Sequence, residues 1–461
     1  MGNIRQRAQR ASVALVMTMG IGLIGAPAQA GSDSVAAKDN SSKPNDVIAW
    51  NSIATEATVA ACIAPLDNPL HESRMYAMMH VAVHDALNAI HRRSTPYAYA
   101  TPAPADTSEP AAVAAAAHDV LVPTINQIPA PFPQACRDAG AALMEAAYVT
   151  ALASVPDSVG KTHGIAVGQA SAQAILTRRS GDGSDTLLVD TSYRQGTAPG
   201  QYRFTPGSAF AFAPGWGRVT PFVLADAGQY RPGPPPALTS RRYAKDVREV
   251  QRLGGNGTTT PTRRTARQTE TGLFWWESSP QAWNRISRDI SADRNLDNWD
   301  SARLFGLLNL ALADGYIGSF ATKYHDKFWR PVSAIQNADT DGNRKTKADP
   351  TWTPLRPTPA IPDYDSAHAV QGGAATAVLK RFFGTDRISF TACSQTLPAG
   401  GRCTDPTPVR HQFSRLSQAA QENGDSRVYI GFHFRTAVQV GIKHGRKIGD
   451  HTVAHYLRPG Y

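Results

Sequence analysis

Apolar positions recur along most of this chain with the three-to-four-residue period of a helix that buries one face. Glu72 to His91 is the clearest case, with Met75, Met78, Met79, Ala82, Val83, Ala86 and Ile90 forming a wide apolar face. Pro110 to Thr124, Gln134 to Leu152 and Pro156 to Thr177 read as Ala-rich helices, with Pro near their starts and Gly or Pro beyond their ends. Helix resumes behind Ser240 as a cap, runs to Leu253 and stops at Gly254-Gly255. Thr271 to Ile290, Trp299 to Phe320, His368 to Phe383 and Phe434 to Tyr456 complete the set, and Phe274, Trp275, Trp276 and Trp283 fall at core spacing. The pattern predicts a mainly α-helical protein built from helical bundles. Gly196 to Leu238 breaks it with Pro, Gly and aromatic residues. That excursion is expected to cover one end of the bundle near the functional site and to hold any short strands.

The N-terminus follows a different logic. Arg5, Arg7 and Arg10 precede an apolar run from Ala11 to Ile24 and then Ala28-Gln29-Ala30, the order of an export signal with its cleavage site. The chain therefore divides into a signal peptide over 1–30, a polar and flexible lead-in over 31–46, and one helical catalytic domain over 47–461, secreted or periplasmic. No later stretch is expected to cross a membrane. Lys and Arg number 47 against 37 Asp and Glu, a formal charge of +10. Without the signal arginines about +7 is left, spread without a basic stripe, so no nucleic-acid partner is expected. Four cysteines in an exported chain favour disulfides with three possible pairings. Cys393 and Cys403 bracket a turn-rich loop and are the favoured pair, leaving Cys62 with Cys136. His80, His84 and Asp85 lack the spacing of a zinc motif and read as packing or supporting residues, and Asp339 to Asn343 reads as a polar turn.

Three blocks carry the chemistry. Lys323 and Arg330 lie seven residues apart, which on one helix would put both cations on a single face. Ser366-Ala367-His368 opens a helix, where unpaired N–H groups and the macrodipole attract an oxyanion. Ser426-Arg427 and His433 add a third fixed cation and a second imidazole. Together these residues describe a site for a tetrahedral oxyanion.

The trio K-x6-R-P, S-x-H and S-R-x5-H resembles the vanadium-dependent haloperoxidase and type 2 phosphatidic acid phosphatase superfamily, in its soluble bacterial branch, over residues 323–433. The resemblance implies vanadate as cofactor, held by Lys323, Arg330, Arg427, Ser366 and the N–H of Ala367. His433 would be the vanadium ligand, His368 the general acid/base, and Lys323 the cation that most directly polarises bound peroxide. The implied partners are hydrogen peroxide, halide and a small organic acceptor, with Phe320 or Ile361 as candidate halide-tuning positions. In the phosphatase alternative the substrate is a phosphate ester and His433 is the nucleophile that becomes phosphohistidine; a third reading is an oxyanion-binding protein without turnover. Two positions depart from the superfamily pattern. Ala367 stands where glycine is usual, and Ala437 where an Asp would orient the second imidazole, so Asp425, Asp450 or a backbone carbonyl is expected to substitute.

Overall fold

The computed structural model describes residues 45–66, 68–129 and 131–460, so the signal and nearly all of the lead-in expected from the sequence lie outside the described residues. Within them the chain is mostly helix. The helices are α1 (Asp46–Ala60), α2 (Pro69–His91), α3 (Glu109–Asn126), α4 (Gln134–Ala153), α5 (Val159–Arg178), α6 (Arg241–Leu253) and α7 (Ala266–Phe274). They continue with α8 (Ser279–Asp293), α9 (Asn298–Asp326), α10 (Pro331–Gln336), α11 (Ala367–Phe383), α12 (Leu416–Tyr429) and α13 (Arg435–His455). The expected mainly helical architecture is therefore observed.

Local chemistry explains where helices start. The side chains of Asn45, Ser158, Ser240 and Asp297 each accept an N–H of the following first turn, and Thr265 forms a reciprocal capping box with Gln268. The single helix expected over Thr271 to Ile290 is two. Ser278 caps α8 and Pro280 sits in its first turn, a stop-and-restart signal that the aromatic run conceals. Helices α1 and α12 were not anticipated from the sequence pattern, the latter because LSQAAQENGDSRVY is too polar to show an apolar stripe.

Two antiparallel strand pairs accompany the helices: β1 (Val189–Asp190) with β2 (Ala211–Phe212), and β3 (Phe390–Ala392) with β4 (His411–Phe413). Strands are thus not confined to the Pro-rich excursion. The β3–β4 hairpin is closed by the Cys393–Cys403 disulfide, and Cys62–Cys136 joins the end of α1 to the start of α4, the expected pairing. Helix α9 is long and apolar enough to span a membrane, contrary to the sequence reading, but nearly all of that stretch is buried inside the protein. It is a core helix. His84 pairs with Asp85 at 2.8 Å and with Ser94, while Asp85 accepts the N–H groups of Tyr97, Ala98 and Tyr99.

Small residues let the helices around the site approach closely. A Cβ at Gly445 of α13 would stand 1.8 Å from the Val370 carbonyl of α11, and one at Gly441 would stand 2.7 Å from the Ser366 carbonyl. Backbone therefore meets backbone, which fixes the first turn of α11 against α13. The excursion is stitched to the turn that carries Lys327 to Arg330. Tyr202 N–H donates to the Lys327 carbonyl at 2.7 Å, Trp329 N–H donates to that of Gly200 at 2.9 Å, and three backbone N–H groups at 222–224 converge on Asp314 of α9.

Candidate active site

Lys323 occupies the last turn of α9 and is fully buried. Its Nζ donates to the carbonyls of Pro362, Asp363 and Asp365 at 2.9, 3.0 and 2.5 Å, so the segment before α11 is tied to α9. Burial first, then the neighbouring Arg330, lowers this ammonium to about 7. Lys323 and Arg330 do not share a helix face. Helix α9 ends at Lys327 in the left-handed conformation, and Arg330 is the residue that caps α10, so a turn rather than helical periodicity brings the two cations together.

Arg330 donates through Nε to the Ile361 carbonyl at 2.6 Å and through Nη1 to that of Phe432 at 2.9 Å. The same Nη1 reaches His433 Nε2 at 3.0 Å. Because a guanidinium only donates, His433 Nε2 is an acceptor, and the ring proton sits on Nδ1 facing Asp363 Oδ1 at 2.9 Å. The imidazole therefore presents a lone pair at Nε2. Burial, then Arg330, Lys323, Arg427 and His368, hold it well below the ordinary histidine value, so it is neutral near pH 7.

Asp363 thus fills the orienting role that Ala437 lacks; neither Asp425, which pairs with Arg435, nor Asp450, which pairs with Arg381, does so. Sequence reasoning passed over Asp363 although it stands three residues before Ser366. Its partner is 70 positions away, and only the fold joins them. Burial raises this carboxyl to about 7 against the lowering influence of Arg330 and Lys323. Asp365 lies behind the site, accepting from Ser319 Oγ at 2.7 Å and bonded to His444 Nδ1 at 2.7 Å.

Arg427, in the last turn of α12, donates to the Trp275 carbonyl at 3.0 Å, and its own carbonyl accepts the N–H of His433 at 3.1 Å. The tight loop over 430–433 therefore sets the second imidazole beside the third cation. Ser366 caps α11, but its side chain makes no cap hydrogen bond, so it does not serve as an ordinary N-cap. Ala367 begins the helix and is absent from the left-handed region, so the methyl that replaces glycine introduces no backbone strain. His368 reaches Ser279 Oγ through Nδ1 at 3.2 Å, and burial, followed by Arg427, Lys323 and Arg330, depresses its basicity. Phe320 faces an aromatic cluster with Phe212, Tyr316 and Tyr324, and Ile361 lends its carbonyl to Arg330.

The donors that lack acceptors reveal what the cluster is built to hold. Ser366 Oγ, Arg330 Nη2 and Arg427 Nε are buried without a hydrogen-bond partner among the described residues. Unmet donors of this kind are expensive to bury, and here they sit among the basic side chains of Lys323, Arg330 and Arg427. A tetraoxo anion such as vanadate or phosphate offers acceptors and negative charge together, so the residues present fit that group.

Residues 303–459 match the family model described as the VCPO second helical-bundle domain. The chain is 26% identical over 487 residues to the vanadium chloroperoxidase of Curvularia inaequalis, covering 85% of this chain and 78% of that protein. Its fold is similar to the crystal structure of a bacterial vanadium-dependent iodoperoxidase, with a TM-score of 0.71 at 24% identity over 90% of this chain and 97% of the other. The holo form of a bacterial vanadium-dependent chloroperoxidase is also similar, with a TM-score of 0.66 at 19% identity over 90% and 98% of the two chains. The matched stretch holds all three motif blocks, so residues 303–459 are similar to the second helical bundle of the vanadium chloroperoxidase family, and the fold as a whole is similar to that of bacterial vanadium-dependent haloperoxidases.

Proposed function

We propose that this protein is an exported vanadium-dependent haloperoxidase that oxidises halide with hydrogen peroxide and passes the oxidised halogen to a small organic acceptor. The observation that carries the reading is the set of buried, unpartnered donors on Ser366, Arg330 and Arg427 beside a neutral imidazole whose Nε2 accepts from Arg330. Vanadate, when bound, supplies a Lewis-acid centre that activates peroxide without a change in its own oxidation state. Lys323, Arg330 and Arg427 spread the anion's charge, with Ser366 and the N–H of Ala367 donating to it. His433 is the ligand, fixed in the required tautomer by Asp363. His368 takes a proton from hydrogen peroxide and returns it to the departing oxygen. Export is supported by the N-terminal pattern and by two disulfides, which persist in an oxidising compartment.

One observation favours a second reading. Asp363 also equips His433 for nucleophilic attack on phosphorus, so acid phosphatase chemistry through a phosphohistidine is the alternative. Purified protein incubated with orthovanadate, peroxide and bromide should halogenate a diketone only when vanadate is present. Ester hydrolysis that vanadate inhibits would instead support the phosphatase. His433→Ala should lower either activity at least about a thousandfold, and full turnover by that variant would refute the site.

A further inference from the structure

The two imidazoles of the site are anchored by different chemistry. His433 Nδ1 meets a carboxylate, Asp363, whereas His368 Nδ1 meets a hydroxyl, Ser279 Oγ, at 3.2 Å. Ser279 is the first residue of α8 and is buried. Its place does not depend on its own side chain. The preceding Ser278 N–H donates to the Pro65 carbonyl at 2.6 Å, and Ser278 Oγ bonds the buried carboxyl of Glu72 on α2. Ser279 Oγ reaches His368 from this anchored position, with the buried Tyr316 hydroxyl of α9 close beside it.

The charged and titratable groups facing His368 are Arg427 from α12, Lys323 from α9, Arg330 from the turn before α10 and His433 from the loop after α12. The fixed charges among them are the two guanidiniums, and none of the four groups is an acid.

We propose that Ser279 is a positioning residue for His368, anchoring Nδ1 to the first turn of α8 while leaving the ring free to take up and release a proton. The reason lies in the amphoteric hydroxyl. It accepts from an Nδ1–H and can also donate to a bare Nδ1, so it holds the ring in either tautomer. A carboxylate at the same position would stabilise the imidazolium and retain the proton. Within one site, a partner that only the Nδ1–H of His433 needs to meet suits the imidazole that must keep one tautomer, and an amphoteric partner suits the one that must shuttle.

This inference rests on the assignment of His368 as the acid/base group, and its test separates the two. Ring nitrogens of 15N-histidine-labelled, vanadate-free protein are followed by NMR against pH, with the His368 signal assigned by its loss in His368→Gln. Ser279→Asp should raise the His368 titration midpoint by at least one pH unit, and Ser279→Ala should alter its Nδ1 shift; an unchanged midpoint and shift in these folded variants would overturn the proposal. In vanadate-loaded enzyme, Ser279→Ala should lower kcat about tenfold with vanadate affinity unchanged, and Ser279→Thr should restore it. A loss of vanadate affinity equal to the loss of kcat would show a structural role and overturn the positioning claim. Should the NMR effects occur in a protein without peroxidase activity, the anchoring stands and the haloperoxidase reading falls.

Discussion

Two helix pairs in this molecule are assembled in the same way and end differently. On α5, a Cβ at Gly160, Gly164 or Gly168 would fall 2.2–2.4 Å from the carbonyls of Asp106, Ser108 and Ala112 on or just before α3. On α13, one at Gly441, Gly445 or Gly449 would fall 1.8–2.7 Å from the carbonyls of Ser366, Val370 and Ala374 on or just before α11. Both pairs use glycine every fourth residue to bring backbones into contact. Ser108 at the start of α3 and Ser366 at the start of α11 both lack a side-chain cap hydrogen bond, but of the two only Ser366 has its hydroxyl buried without a partner among the described residues. Tight packing is thus common to both pairs, and the chemistry comes from what stands at one end.

The contrast can be broken most severely by filling one notch in each pair. Gly445→Ala should destabilise the protein by at least about 3 kcal/mol and abolish vanadate binding, because the displaced α11 takes Ser366 with it. Gly164→Ala should cost similar stability in a denaturant melt yet leave vanadate affinity of the folded fraction unchanged, as calorimetry would register. Equal loss of affinity in both would mean that the site draws rigidity from the whole molecule. A milder perturbation is Asp363→Asn, which keeps the packing and removes the carboxylate from His433. Vanadate affinity should fall by roughly 10- to 100-fold with little change in melting temperature.

The smallest expected effect on the site comes from Glu72, which lies on α2. Burial raises its carboxyl to about 7 from an ordinary 4.5, so the folded state binds the proton more readily than the unfolded chain between those values. Stability should therefore fall as pH rises from about 4.5 to 7. Glu72→Gln should remove that slope and gain up to about 3 kcal/mol above pH 7 in urea melts, with vanadate affinity unaltered. An unchanged slope in the variant would assign the pH dependence to other groups.

Much of this was legible in the sequence because helices and short motifs are local. The periodicity of α2, α11 and α13 and the order of Lys323, Arg330, Ser366, His368, Arg427 and His433 can be read without a fold. What escaped depended on chain reversal. Lys327 adopts a left-handed conformation at the end of α9 with no glycine to announce it, so Lys323 and Arg330 seemed to share a helix. Asp363 and Ser279 act on imidazoles 70 and 89 positions away, distances at which spacing carries no information.

The notches on α13 also limit how such a chain can vary in length. Each receives a main-chain carbonyl, which cannot change rotamer to absorb a misfit. One residue inserted between Ala437 and Gly441 would swing the following stripe by about 100° around the helix axis and seat side chains where glycines belong. Insertions and deletions should consequently collect in the linkers, above all in the disulfide-closed hairpin between α11 and α12, and spare the interior of α13.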